Sequence, residues 1–395
     1  MIKEYTLGDC VEMIIDYRGK TPQKMGGDWV DNGYRVISAL NVHGGFIDNE
    51  DQIRCVSQEI YEKWMKDEIK RNDCFLASEG ASLGENTIWD SDEKIVLGQR
   101  LYAIRTNPDK LDPWYFAMYM QTKKFRQQID QISTGSTVFG ISQPVLLSVK
   151  LLLPNIIEQR KIGALYRNIY HKLKNTNSIC SDLDSIAKLL YDYWFVQFDF
   201  PDENGRPYKS SGGKMVWNAE LKREIPEGWE DIVLNKIAQI ITESVKPVSN
   251  EYYYHYSIPA FDEGMYPREE FGSSIDSNKY LVLNDYVLVS KLNPQFKRVW
   301  NIYLTGENSI CSTEFMPFIS KTNEKEFMYS VLNSDSFYTF MVNSSSSSTG
   351  SRKRMQPDLC NNYKLAYPRD NRVIQMYCEK TKAIFEESSS FANGW

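Results

Sequence analysis

Two stretches of this chain repeat each other at the scale of a whole domain. Ser133-Thr134-Gly135-Ser136, followed by Pro144 and Leu153-Pro154, returns as Ser348-Thr349-Gly350-Ser351 with Pro357 and Tyr367-Pro368, 213 to 215 residues later. An upstream strand-like block recurs too: Asp73-Cys74-Phe75-Leu76-Ala77-Ser78 is echoed by Asp285-Tyr286-Val287-Leu288-Val289-Ser290 at an offset of 212. Order and spacing are kept, and the period far exceeds the 20 to 50 residues of solenoid repeats. The chain is therefore expected to fold as two diverged copies of one domain, presenting two related surfaces to two related targets.

Composition limits those targets. With 395 residues, 42% hydrophobic and 25% charged, the chain is long enough for two or three separately cored domains. The start, Met1-Ile2-Lys3-Glu4-Tyr5, lacks a signal-peptide pattern, and no 18-residue apolar run is present, so a cytoplasmic protein without a membrane span is expected. Seven cysteines are scattered without a CxxC pair, and only His43, His171 and His255 add imidazoles, so neither a disulfide framework nor a metal site is expected. The net charge of -6 argues against indiscriminate coating of nucleic acid and leaves room for local basic clusters.

Residues 1–154 alternate short β-rich runs (34–40, 74–78, 99–105) with Gly, Asn and Asp turns around one helical segment, 114–130, as expected of a mixed α/β domain. After Pro154, Asn155 with Glu158 predicts an N-cap and capping-box partner for a long spacer helix over 155–195. Positions 162, 165, 169, 172, 176, 179, 183, 186, 190 and 193 are apolar at eight of ten places, a coiled-coil seam whose weak point is Lys172 to Ser178. Unbroken, such a rod measures roughly 58 Å at ~1.5 Å per residue. Residues 196–228, rich in Pro, Gly and Ser, are expected to be a linker. A second domain follows over 229–368, with strand candidates 280–290 and 300–304 and a helix candidate 324–342. A short helix and tail close the chain over 369–395. The expected fold is α/β (α+β), with two homologous mixed domains separated by helices that form an antiparallel coiled coil in pseudo-two-fold arrangement.

Catalytic constellations are scarce. Asn293-Pro294-Gln295-Phe296 is one residue from the Asn-Pro-Pro-Phe loop of amino-methyltransferases, but no glycine-rich cofactor loop precedes it. Pro201-Asp202 with Glu220-Leu221-Lys222 spells a metal-dependent nuclease pattern inside the aperiodic linker, where no strand holds it in register for a metal. No phosphate-binding GxxxxGK loop and no activated Ser or Cys is present. Binding features are richer. The loop 344–356 offers serines, Thr349, Gly350, then Arg352, Lys353, Arg354 and Gln356, with no acid. Such a loop suits a phosphate backbone, with Arg and Gln reaching base edges; its bland alternative is a solvated surface loop. The first copy places 133–143 at the same point of the repeat. Lys291 to Arg298 and the turn Arg18, Lys20, Thr21, Lys24 are further basic runs, each equally compatible with an ordinary surface turn.

Taken in order, Gly135-Ser136-Thr137 with Ile141-Ser142, Leu153-Pro154 leading into Glu158-Gln159-Arg160-Lys161-Ile162, Asp199-Phe200-Pro201 with Gly205 and Tyr208, and Ile225-Pro226-Glu227-Gly228-Trp229 resemble the DNA-specificity subunits of type I restriction-modification systems. The resemblance covers essentially the whole chain. It implies that each α/β domain is a target-recognition domain for one half of a bipartite, asymmetric site in double-stranded DNA, while the helices fix the unread gap and dock two methyltransferase subunits. It also implies that the chain is not itself an enzyme and binds no cofactor. S-adenosylmethionine, ATP and Mg would reside on the methyltransferase and motor-endonuclease subunits. After Pro368 the second copy departs from the pattern, with Arg369-Asp370-Asn371-Arg372 in place of a Glu-Gln pair. The DNA-proximal candidates are Ser136 and Thr137 with Ser351 and Arg352 in the repeated loops. Arg18, Lys20, Thr21, Lys24, Gln99, Arg100, Lys291, Asn293, Gln295, Lys297, Arg298, Lys353, Arg354 and Gln356 complete the set. Two other functions stay open: a stand-alone nuclease using Asp202, Glu220 and Lys222, and a protein-interaction adaptor without DNA.

Overall fold

Apolar runs without polar alternation form the centre of each copy. In the computed structural model, which describes all residues except 1, 49, 134–138, 304–305, 347–351 and 394–395 (and not the side chains of 51 and 389–393), the chain divides into two compact units, Met1–Asn175 and Thr176–Trp395. In the first unit, Cys74–Ala77 is buried at every position. Successive side chains of a strand point to opposite faces, so Cys74 and Leu76 enter one hydrophobic cluster while Phe75 and Ala77 enter another. Val287–Ser290 does the same in the second unit, with Val287 and Val289 on one side and Leu288 on the other. A strand flanked by two cores needs no polar face.

Both units build the same antiparallel sheet around that strand. The order in the first is Val11–Asp16, Leu101–Thr106, Cys74–Ala77, Asn86–Ile88, and in the second Ala238–Ile240, Phe315–Ser320, Val287–Ser290, Val299–Asn301. A two-stranded pair closes each, Lys3–Thr6 with Lys150–Leu153 and Trp229–Val233 with Lys364–Pro368. The copies diverge in their additional strands. The first adds three short ones, Cys55–Val56, Tyr34–Ile37 and Val96–Leu97, and the second a five-stranded sheet that includes Tyr252–Tyr256 and Ser309–Cys311.

The helix expected over 114–130 is two helices, Pro113–Met120 and Lys123–Ile132, because the Thr122 hydroxyl accepts from Phe125 N at 3.2 Å and starts a new one. Its counterpart breaks likewise into Lys325–Leu332 and Asp335–Ser344, with Ser334 accepting from Phe337 N at 3.2 Å. The long helix Ile156–Tyr191 is continuous through Lys172 to Ser178, and Asn155 Oδ1 accepts from Glu158 N at 3.0 Å at its start.

The expected seam is not the stripe this helix buries within the chain. Ile162, Leu165 (62% exposed), Ile169, Ile179 and Ile186 face solvent, whereas Gln159, Gly163, Tyr170, Ala187 and Tyr191 are buried. The inner stripe is made of small, amide and aromatic residues, which counting aliphatic positions overlooks. Each residue has a reason to be there. A Cβ on Gly163 would lie 2.2 Å from Asp112 Oδ1, and the Gln159 side chain accepts from Asp112 N and donates to Lys110 O and Pro154 O.

Helix docking is duplicated along with the sheet. Trp114 meets Tyr170 edge-on at 5.4 Å in the first unit, and Tyr329 meets Phe385 edge-on at 5.0 Å in the second, with both members of the pair displaced by 215 residues. Within the second unit the C-terminal helix Arg372–Asn393 lies antiparallel to the end of the long helix. Ser388 Oγ donates to Asp184 at 3.1 Å and Tyr377 Oη to Ala187 O at 3.4 Å.

Residues 196–228 are packed structure, not an aperiodic connector. Met215–Asn218 pairs with Arg223–Pro226 as a hairpin. Phe198, Phe200 and Ile225 are buried in the core of the second unit, where Phe200 stacks on Trp229 at 5.2 Å.

One buried cation gives the second unit a pH dependence. Lys325 lies 3.5 Å over the Tyr303 ring and 3.6 Å from Asp285, and burial pushes its ammonium from the ordinary 10.5 down to about 8. The folded value lies below the unfolded one, so unfolding takes up protons and stability rises with pH between the two. From about pH 8 to 10.5 the gain is on the order of 3 kcal/mol. Denaturant titrations across that range are expected to show the rise in the unsubstituted chain and to lose it in Lys325→Met. A rise of equal size in the variant would refute the assignment.

Candidate nucleic-acid interface

At the end of each central strand the chain turns, and a distant loop joins it through main-chain hydrogen bonds alone. In the first unit Ser78 N donates to Arg100 O at 2.9 Å, Ile141 N to Ser78 O at 2.9 Å, and Gly80 N to Phe139 O at 3.0 Å. In the second, Lys291 N donates to Glu314 O at 2.9 Å, Met355 N to Lys291 O at 2.9 Å, and Asn293 N to Lys353 O at 2.8 Å. The same short ladder is thus built twice, 213 to 214 residues apart. Ile141 and Met355 are both buried beneath it and anchor the loop apolarly. Gly80 and Asn293 occupy the matching turn with φ of 86° and 48°, a left-handed conformation that Gly adopts freely and Asn tolerates. Among the described residues Asn293 Oδ1 is buried without a hydrogen-bond partner.

Side chains on this common frame differ in charge. In the first unit Arg18 forks onto Asp16 at 2.8 and 2.9 Å, lies 4.5 Å over the Tyr102 ring and donates to Ile141 O; the carboxylate holds its guanidinium above the ordinary value. Arg100 faces Glu79 at 3.4 Å. In the second unit the residue matching Arg100 is Glu314, which takes both oxygens to Arg354, at 2.8 and 3.2 Å. Arg352 and Lys353 are exposed, and Lys291 is half-buried. None of these three has an ion-pair partner among the described residues.

The fold therefore gathers Lys291, Asn293, Arg352, Lys353 and Arg354 at one place and Arg18 and Arg100 at the matching place. Ser136, Thr137 and Ser351 lie outside the described residues. Other candidates are engaged elsewhere. Arg298 is mostly buried and forks onto Asp262 at 2.6 and 2.8 Å. Lys297 donates to Asn333 O, and burial lowers its pKa. Lys20 donates to Trp64 O at 3.0 Å and sits 4.2 Å over Tyr17. The Gln295 carbonyl accepts from Tyr338 Oη. Thr21 Oγ1 accepts from Lys24 N, and exposed Lys24 donates to Gly19 O. Gln99 is exposed, and exposed Gln356 caps the short helix Pro357–Cys360. Phe139, 55% exposed on the first ladder, was not anticipated; its one sequence signal is an aromatic inside an otherwise polar loop.

Groups in the nuclease pattern serve separate structural ends. Asp202 accepts from the amides of Asn204 and Arg206, Glu220 pairs with Lys364, and Lys222 turns the hairpin with φ 52°. Among the described residues no group of three or more His, Cys, Asp or Glu is placed to hold a metal, and no helix is long and apolar enough to cross a membrane.

Residues 2–179 match the family described as the type I restriction modification DNA specificity domain. The chain belongs to the type I restriction-modification specificity family. Among specificity subunits, it is 29% identical over 145 residues to the type I restriction enzyme MjaIX specificity subunit of Methanocaldococcus jannaschii, covering 37% of this chain and 32% of that protein. It is 23% identical over 146 residues to the MjaVIII specificity subunit of the same organism, covering 36% and 34%. The matched stretch thus spans about a third of the length of these relatives. The solved structure of a type I restriction-modification system S subunit from M. genitalium superposes with a TM-score of 0.54 over 99% of this chain and 93% of that one, at 13% identity. That likeness extends the specificity-subunit fold over both units.

Proposed function

We propose that this chain is the DNA-reading subunit of a type I restriction-modification complex. Each unit reads one half of a bipartite, asymmetric site, and the two trailing helices set the gap and dock methyltransferase subunits. The duplicated ladder carries this reading: two copies of one frame at the ends of matching strands, with different side chains, suit two different half-sites. Chemistry belongs to the partners, with S-adenosylmethionine on the methyltransferases and ATP and Mg on motor-endonuclease subunits, in the cytoplasm.

Methylome sequencing of a host carrying the gene tests the proposal. The expected result is an adenine-methylated motif of two half-sites at a fixed gap, lost when the gene is deleted. An unsplit motif, or a methylome indifferent to the deletion, would overturn it. Exchange of residues 1–154 for the corresponding domain of another specificity subunit is expected to rewrite one half-site and leave the other intact.

A further inference from the structure

Resting on the DNA-reading role above, we infer that the two units grip DNA with unequal electrostatics: Lys291, Arg352 and Lys353 form a phosphate-backbone anchor in the second unit that has no counterpart at the first unit's ladder. The comparison is position by position. Where the second ladder carries Lys353, the first carries Phe139; where the second carries Arg354, the first carries Gly140. Residues 133–143 contain no charged side chain, whereas 344–356 contain three cations and no acid.

Ion pairing widens the difference. Arg18 and Arg100 are each matched by a carboxylate, Asp16 and Glu79, so the first ladder is close to neutral. In the second, Glu314 neutralises Arg354 only, and three cations remain. Lys24 is the exposed cation of the first unit's basic turn, and it bonds to its own turn's carbonyl. Overall composition does not produce this patch: the second unit has 23 basic and 29 acidic residues, against 23 of each in the first. Exposed charges beyond about 8–10 Å are screened at physiological salt, so the local cluster governs the contact with phosphate.

Each phosphate neutralised by a cation contributes about 0.9 to the slope of log K against log salt. The complex of this chain with its methyltransferase partner is titrated onto a fluorescent duplex carrying the methylome-mapped site, over a series of KCl concentrations. The triple substitution Lys291→Ala, Arg352→Ala, Lys353→Ala is expected to lower the slope by about 2 to 3. Lys24→Ala with Arg100→Ala is expected to lower it by no more than about 1. If the triple variant melts early, single substitutions, each lowering the slope by just under about 1, give the same test.

A slope unchanged by the triple variant, with specific binding intact, overturns the inference alone; so does an equal drop in the first-unit variant. No preference of the unsubstituted complex for the mapped site over a scrambled duplex overturns the DNA-reading role as well.

Discussion

Tyr377→Ala is expected to destabilise the second unit by about 3–5 kcal/mol, the range for removing a large aromatic from a packed core. Tyr377 is fully buried. Its ring meets Phe195 edge-on at 5.1 Å and packs on Trp194, Tyr191 and Phe327. Its hydroxyl meets Ser330 Oγ at 2.7 Å. It therefore joins the C-terminal helix, the end of the long helix and the α/β body in one cluster. Urea unfolding followed by the fluorescence of Trp194 and Trp229 reports on this core. Tyr377→Phe keeps the ring and is expected to cost only about 1 kcal/mol through the lost hydrogen bond. An alanine variant with an unchanged midpoint would mean that the helices are held by something else.

A comparable loss is expected in the first unit from Arg105→Met. Asp73 is 2% exposed at its side chain and is held by Arg105 through two bonds of 2.9 and 2.7 Å, with Lys70 N adding a third at 2.8 Å. Removing the guanidinium leaves a carboxylate buried without its counter-charge, a change that costs about 3–5 kcal/mol. Converting Asp73→Asn in the same chain removes the orphaned charge and is expected to restore part of the loss. Thermal unfolding of the two variants side by side decides it: a double variant no more stable than the single would exclude the orphaned charge as the cause.

The domain duplication was legible because both copies keep the same turn and strand residues at the same spacing. The trailing helix was legible from its cap and periodicity. What escaped was of three physical kinds. The breaks at Thr122 and Ser334 lie in continuous apolar patterns, where one hydroxyl cap outweighs periodicity. The packed character of 196–228 escaped because Phe198 and Phe200 enter the core through irregular backbone, with no period to announce them. The buried stripe of the long helix escaped because Gly163 and Ala187 fit by being small, and Gln159 by hydrogen bonding.

For the interface, the basic residues were visible but their availability was not. Arg298 and Arg354 look alike in the sequence to Arg352 and Lys353. Only the fold brings Asp262 and Glu314, 36 and 40 residues away, onto the first pair. Local charge counts cannot separate a cation held in an internal ion pair from one free to meet a partner.

The ladder at the strand ends is closed entirely by amide and carbonyl groups, with Ile141 or Met355 as its one apolar peg. Such a frame is indifferent to most of the side chains it displays. Point mutations along 139–140 or 352–354 can change what is displayed while the loop stays attached, and a change in one copy leaves the other untouched. New preferences can thus arise one half at a time, each step passing through a folded protein.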